Sequence, residues 1–346
     1  MQYGRIVYTP GPMLRSGDRY VNVGDTFQTL AVDLVYDTLG IPQSIRKDVE
    51  RHTLREYDGE DVILPMNGWF GTGRGGEIFP LSPHIRPVWF GYHNVTKADA
   101  QHIPKDVPIG CRDEKTFDLI RGYTDRAFLS GCLTILFPTR ERVPENGKVF
   151  IVDVADKIAA SVPADLRKNA VLLSHEVLFH TDAEPSEEIR RIENISREYI
   201  CRYRDEASLV ITSRLHCAMA CIALGVPVIV MRDSFDERYA FVEKFIPLYA
   251  AGEFDRINWN PSPVDTQYIK AETMRTACAL LSGEDIPAEN ALHAFYMDRT
   301  RHAISKPFMV KAYDAVRDVS PALADFIREK ILFRFTISAS RGKDDG

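Results

Sequence analysis

The chain has 346 residues, 45% hydrophobic and 27% charged, with a formal net charge of −6. That length allows two domains of ordinary size, and the balance is that of a soluble globular protein. The acidic charge, with no basic run or aromatic–glycine motif, excludes a general nucleic-acid binder.

Met1 to Pro10 has no signal-peptide layout, and the longest apolar stretch, Leu215 to Met231, is broken by His216, Gly225 and Pro227. It therefore reads as a buried helix plus strand, not a membrane span. The six cysteines include no C-x-x-C pair, which argues against a zinc knuckle or a thioredoxin-type site. Cys217 and Cys221, four apart among alanines, read as small core residues. A reducing cytoplasm is the expected compartment.

The helical spacing of Phe27, Leu30, Ala31, Leu34, Val35 and Leu39 predicts a helix over Asp25 to Leu39. Asn22-Val23-Gly24-Asp25 precedes it, with Asp25 a natural N-cap and Gly24 a natural turn residue. If that loop faces a cleft, Asn22, Gly24 or Asp25 touches substrate. Strands are expected at Val62 to Pro65, Val88 to Phe90 and Val107 to Gly110, a helix at Glu114 to Arg121, and a strand at Leu133 to Phe137. Gly71-Thr72-Gly73-Arg74-Gly75-Gly76 lacks the helix that a dinucleotide loop needs and reads as a mobile loop over the cleft.

Pro138 to Gly147 is polar and contains proline and glycine, the mark of a linker. Beyond it come strands at Val149 to Val152 and Val171 to Leu173, a helix at Glu187 to Arg204, a strand at Leu209 to Thr212, a helix at Leu215 to Leu224 and a strand at Val228 to Met231. Helices near Arg238 to Phe245 and Glu272 to Leu281 follow, then an amphipathic one at Lys311 to Phe335. Doubled strand–helix alternation predicts an α/β, GT-B-like fold: two Rossmann-like domains facing a central cleft. Their expected ranges are 1–140 on the acceptor side and 148–310 on the donor side. The remaining 311–346 is expected to be a helix packing back toward the first domain, with a disordered tail.

Thr212-Ser213-Arg214-Leu215-His216 puts an arginine and a histidine where a strand hands over to a helix. Open α/β sheets bind ligands there, and a helix N-terminus favours an anion; a plain polar turn is the alternative. Gly110-Cys111-Arg112-Asp113 repeats the pattern, with Asp113 an N-cap and Arg112 either aimed at the cleft or in a structural ion pair. His175-Glu176-Val177-Leu178-Phe179-His180 fails the zinc-protease spacing. His175 is either a ligand-binding side chain or an exposed loop residue. No D-x-D, P-loop or G-x-S-x-G is found.

Taken in order, these motifs resemble the polysaccharide pyruvyl transferases. The matching pieces are Asn22-Val23-Gly24-Asp25, Asn67-Gly68-Trp69-Phe70, Gly110-Cys111-Arg112-Asp113 with Thr116, Ser130-Gly131-Cys132, and Ser213-Arg214-Leu215-His216 with Leu224-Gly225-Val226-Pro227-Val228-Ile229. The resemblance implies a GT-B-like enzyme that forms a pyruvate ketal on a sugar from phosphoenolpyruvate, with Arg214 and His216 as the donor-binding pair. The family often shows a Tyr and then a Lys after the last of these strands. Here Arg232 or Arg238 stands in that region.

The expected catalytic residues are His216, Arg214 and Asp25, with Asp25 serving the acceptor. The expected substrate-binding residues are Arg112, Asn22, Gly24, Ser213, His175 and Arg232. No metal or cofactor is expected beyond phosphoenolpyruvate as donor substrate. The expected acceptor is a sugar or glycan, lipid-linked in one version, in cell-surface polysaccharide biosynthesis. The expected location is the cytoplasm, and Ile331 to Phe335 either touches the inner face of the membrane or, as such stretches more often do, packs back on the protein. The alternatives are a GT-B glycosyltransferase using a nucleotide sugar and a non-catalytic glycan-binding domain.

Overall fold

The computed structural model describes residues 1–11, 19–70, 78–93, 96–179 and 183–298. The expected loop at 71–76 and the expected helix at Lys311 to Phe335 with its tail lie outside them.

The first half carries strands β1 (Gln2–Val7), β2 (Arg19–Asn22), β3 (Arg46–Glu50), β4 (Val62–Pro65), β5 (Gly68–Trp69), β6 (Ile85–Val88), β7 (Tyr92–His93), β8 (Ile109–Cys111) and β9 (Ala127–Leu129). The second carries β10 (Lys148–Val152), β11 (Val171–Leu173), β12 (Glu176–Phe179), β13 (Ala207–Thr212), β14 (Val228–Met231) and β15 (Leu248–Tyr249). The α-helices are α1 (Val23–Thr38), α2 (Lys97–Ala100), α3 (Glu114–Ile120), α4 (Asp156–Ala159), α5 (Ala164–Lys168), α6 (Pro185–Glu206), α7 (Leu215–Leu224), α8 (Ala240–Glu243), α9 (Gln267–Leu281) and α10 (Ala291–Met297).

Two parallel stretches, β3-β1-β4-β6 and β5-β7-β8-β9, make up the first half. Backbone bonds from Met66 to Val88 and from Gly110 to Trp89 join them. The second half is a parallel sheet ordered β11-β10-β13-β14-β15. Each half thus has the strand order of a doubly wound unit, and the α/β, GT-B-like class holds.

Alternation along β10, β13 and β14 explains why that second sheet is covered on both faces. Phe150, Val152, Val210, Val228 and Val230 face the main core, while Ile151, Leu209, Ile211, Ile229 and Met231 face a smaller cluster with Ile158 and Val162. The main core is shared between the halves: Phe27 and Val35 of α1 belong to the same cluster as Ile222 of α7 and Tyr203 of α6. β2 and β12 also pair antiparallel, one strand from each half.

Several expectations need correcting. Leu133–Leu136 is a 3₁₀ helix, not a strand. A short apolar run buried on every side carries no period to separate the two. The first helix starts at Val23, so Asn22 is its cap, accepting from the Gly24 N–H at 3.1 Å, and Asp25 lies inside the first turn. Of the strand expected at Val88 to Phe90 only Val88 is in a strand, as the end of β6, and the helix near Arg238 to Phe245 shrinks to a 3₁₀ turn and α8. Helix α7 ends as its sequence dictates: Gly225 adopts φ 69°, and the Val226 N–H returns to the Cys221 carbonyl.

Asp33 of α1 ties β1 and β3 to the helix layer. Its carboxylate meets Arg5 at 2.9 Å and Arg46 at 3.2 Å, and Arg46 is 3% exposed. Asp33→Ala would leave these cations short of a buried partner. We expect it to lower stability by about 3 kcal/mol, read as a lower urea midpoint at neutral pH. A midpoint equal to wild type would show that the network is dispensable.

Candidate active site

The C-terminal strand ends of both sheets open onto one cavity of about 400 Å³. Asn22, Gly24, Asp25, Arg112, His175, Arg214, His216 and Arg232 line it, together with Tyr8, Arg51, His52, Trp69, Glu176, Arg238 and Tyr239. Ser213 does not. Its hydroxyl donates to the Asp153 carbonyl, and its own carbonyl accepts from Arg232 and Tyr239.

Arg214 caps α7 from the end of β13. Its guanidinium is already engaged by carboxylates, Nε to Asp153 at 2.8 Å and Nη2 to Glu176 at 2.8 Å. It is therefore not a free anion receptor. Asp153 is a non-glycine residue at φ 51°, and its Oδ2 also accepts from the His175 backbone N–H at 2.9 Å. A left-handed residue holding three groups in place is strain of the kind found at functional sites.

His175 lines the cavity but is not the exposed loop residue of the alternative reading. It is fully buried, with Nε2 bonded to the Tyr203 hydroxyl at 2.8 Å. Gly24 is needed beside it for space, because a Cβ there would sit 2.9 Å from His175 Nδ1 and 3.3 Å from His216 Cβ.

The arginines free of carboxylates are others. Arg112 is 2% exposed, donates to the Gln28 side chain at 3.3 Å, and leaves its Nε without a partner. Arg232 rests on the Tyr239 ring at 4.9 Å and donates to neutral oxygens. Arg51 lies between the Tyr8 and Trp69 rings. Arg238, by contrast, is paired with Asp236 at 2.7 Å.

His216 lies on the first turn of α7, with Nδ1 3.4 Å from Asp25 and Nε2 making no hydrogen bond of ordinary geometry. Burial opposes its protonation. The Asp25 carboxylate and the Cys132 thiol beside it outweigh that and raise its pKa. Burial pushes the Asp25 carboxyl upward, but His216, Arg51 and Arg112 more than reverse this and hold it below the usual carboxylate range. Each thus favours the charged form of the other.

Residues 90–234 match the family model of polysaccharide pyruvyl transferase. That span carries Arg112, Cys132, Arg214, His216 and Arg232, whereas Asn22, Asp25, Arg51 and Trp69 lie before it. No curated protein matches the chain significantly. Among solved structures, a Listeria monocytogenes protein proposed to be a UDP-N-acetylglucosamine 2-epimerase is similar at 9% identity and TM-score 0.39, covering 83% of this chain and 99% of its own. A functionally uncharacterized Klebsiella pneumoniae protein is similar at 18% and 0.36, covering 69% and 88%. A UDP-N-acetylglucosamine 2-epimerase is similar at 9% and 0.36, covering 88% and 100%. Among the described residues, no group of three His, Cys, Asp or Glu side chains could hold a metal ion.

Sequence reading missed Arg51, Tyr8, Asp153 and Tyr239. Tyr8, Arg51 and Asp153 each sit just beyond the C-terminal end of a strand, and Tyr239 ends the 3₁₀ turn before α8, but β1 and β3 were themselves unread. The Asp25–His216 pair gives a direct test. Removing the carboxylate charge leaves burial to oppose protonation, so His216 in Asp25→Asn should titrate at lower pH than in wild type. NMR of the imidazole ring protons reads that midpoint; an unmoved midpoint would show that Asp25 does not hold the imidazolium.

Proposed function

We propose that the protein transfers the three carbons of phosphoenolpyruvate onto two hydroxyls of a sugar or glycan, closing a pyruvate ketal and releasing orthophosphate. The observation that carries this reading is the charge balance of the cavity. Arg112 is a buried cation with no carboxylate bonded to it among the described residues, and Arg232 lines the same cavity. A buried charge is stable only when paired, so the cavity suits a small polyanion. Phosphoenolpyruvate brings a phosphate and a carboxylate, both matched to guanidinium groups and to the free N–H groups at the start of α7.

In this mechanism His216, kept charged by Asp25, gives its proton to the donor's methylene carbon, and C2 becomes oxocarbenium-like. The first sugar hydroxyl adds to C2 and returns a proton to His216. Phosphate then leaves C2, the second hydroxyl adds, and its proton departs with the phosphate. Two hydroxyl protons are thus consumed, one on carbon and one on phosphate. Asp25, expected to serve the acceptor as a base, is reassigned to holding the imidazolium, because its contact with His216 Nδ1 at 3.4 Å and its lowered pKa favour its charged form. Arg214 is reassigned to shaping the α7 N-terminus through Asp153 and Glu176.

A role in cell-surface polysaccharide synthesis on the cytoplasmic side, with a lipid-linked acceptor, is part of the same proposal. Among the described residues, no helix is long and apolar enough to cross a membrane.

The test supplies phosphoenolpyruvate or a nucleotide sugar with a panel of sugar acceptors and follows phosphate and nucleotide release separately. Acceptor-dependent orthophosphate release, unaffected by chelator, is expected. Arg112→Gln and Arg232→Gln should each raise KM for phosphoenolpyruvate by about 10- to 100-fold, the loss of one charge-assisted contact. Nucleotide release with phosphoenolpyruvate untouched would make the protein a glycosyltransferase.

A further inference from the structure

Opposite α7, the cavity wall is built from the first sheet by Tyr8, Arg51, His52 and Trp69. Arg51 stands just past the end of β3. Its guanidinium carbon lies 5.3 Å from the Tyr8 ring centre and 5.7 Å from that of Trp69. Nη1 donates to the Trp69 carbonyl at 3.2 Å and Nη2 contacts His52 Nε2 at 3.0 Å. No carboxylate pairs with it among the described residues, so Arg51 is fixed by aromatic faces and neutral acceptors, with donors unspent.

The state of His52 follows from this contact. An arginine can only donate, so His52 Nε2 is the acceptor and the ring proton sits on Nδ1. Burial, then the neighbouring Arg51 charge, lower the His52 pKa to about 4. At neutral pH His52 is therefore a neutral donor that leaves the Arg51 charge as the only full charge on this wall. Beside it, Trp69 is half-buried and faces the same cavity. A planar ring next to a planar cation with no carboxylate bonded to it is suited to a saccharide bearing an anion: the ring plane against the sugar, the guanidinium on the charge.

We propose that Tyr8, Arg51, His52 and Trp69 form the acceptor subsite, and that the acceptor saccharide carries a phosphoryl or carboxylate group that Arg51 binds. This rests on reading the cavity as a saccharide-modifying site. It separates the two anion demands: the donor's charges fall to Arg112, Arg232 and α7, the acceptor's to Arg51.

The test is isothermal titration calorimetry of the full chain without phosphoenolpyruvate, so that its outcome does not depend on the donor. The probes are glucose 1-phosphate, glucuronic acid and glucose. A charged saccharide should bind at least about tenfold more tightly than glucose. Whichever of the first two binds better names the group as phosphoryl or carboxylate. Arg51→Gln should remove that preference, Trp69→Ala should weaken the charged saccharide, and Trp69→Phe should restore much of it. Melting curves check that each variant is folded. Equal binding of glucose and the charged saccharides would overturn the proposal, as would a preference for the charged saccharide that survives in Arg51→Gln. In a turnover assay, an Arg51→Gln effect on KM for phosphoenolpyruvate rather than for the acceptor would assign Arg51 to the donor and overturn it too.

Discussion

A guanidinium sunk to 2% exposure with no carboxylate beside it is a costly arrangement, and Arg112 is held that way by its surroundings. The Gln28 amide is oriented by two bonds, its nitrogen on the Tyr8 hydroxyl and its oxygen on Arg112. The Phe241 ring, 6.0 Å from the Arg112 guanidinium carbon, adds an apolar neighbour. The nearest acid in sequence, Asp113, is turned away to cap α3 and to meet His93. Neutral partners thus position the cation without quenching it. The Asp25–His216 pair lies within electrostatic reach of that cation, while Arg214 is held separately by Asp153 and Glu176.

The division of labour among the arginines follows from local backbone. Arg214 stands where β13 turns into α7, next to the strained Asp153, and its side chain is consumed in fixing that turn. Arg232 is one residue beyond β14 and is supported by the Ser213 carbonyl and Tyr239. On the proposed reading, the motif residue shapes the anion site, while less conspicuous residues present the charge to it.

Much of this was legible in the chain. The β13–α7–β14 unit could be read to the residue at several ends, because an alanine- and cysteine-rich helix closed by Gly225 has few other conformations available. The convergence of Asn22, Gly24, Asp25, Arg112 and His216 on one cavity was anticipated by their places at strand and helix ends. What failed was whatever long-range contacts decide. β1 and β3 are interrupted by Arg5, Arg46 and Asp48, whose charges are absorbed by Asp33 and by one another, so the segment looks too polar for strands. His175 sits next to a strand end, yet Tyr203 on α6 draws it into the core. Arg51 could not be placed while its strand was unread.

The antiparallel pairing of β2 with β12 bears on how substrates reach the cavity. Glu176 to Phe179 is laced to Arg19 to Asn22 by backbone bonds, and α1 is packed on α6 and α7 in one continuous core. A hinge between the halves would have to unzip that ladder and strip apolar surface from α1. The cleft is therefore a preformed vessel rather than a jaw. The spacing between the α7 wall and the Trp69 wall then behaves as a fixed ruler for how far apart the reacting groups of two substrates are held.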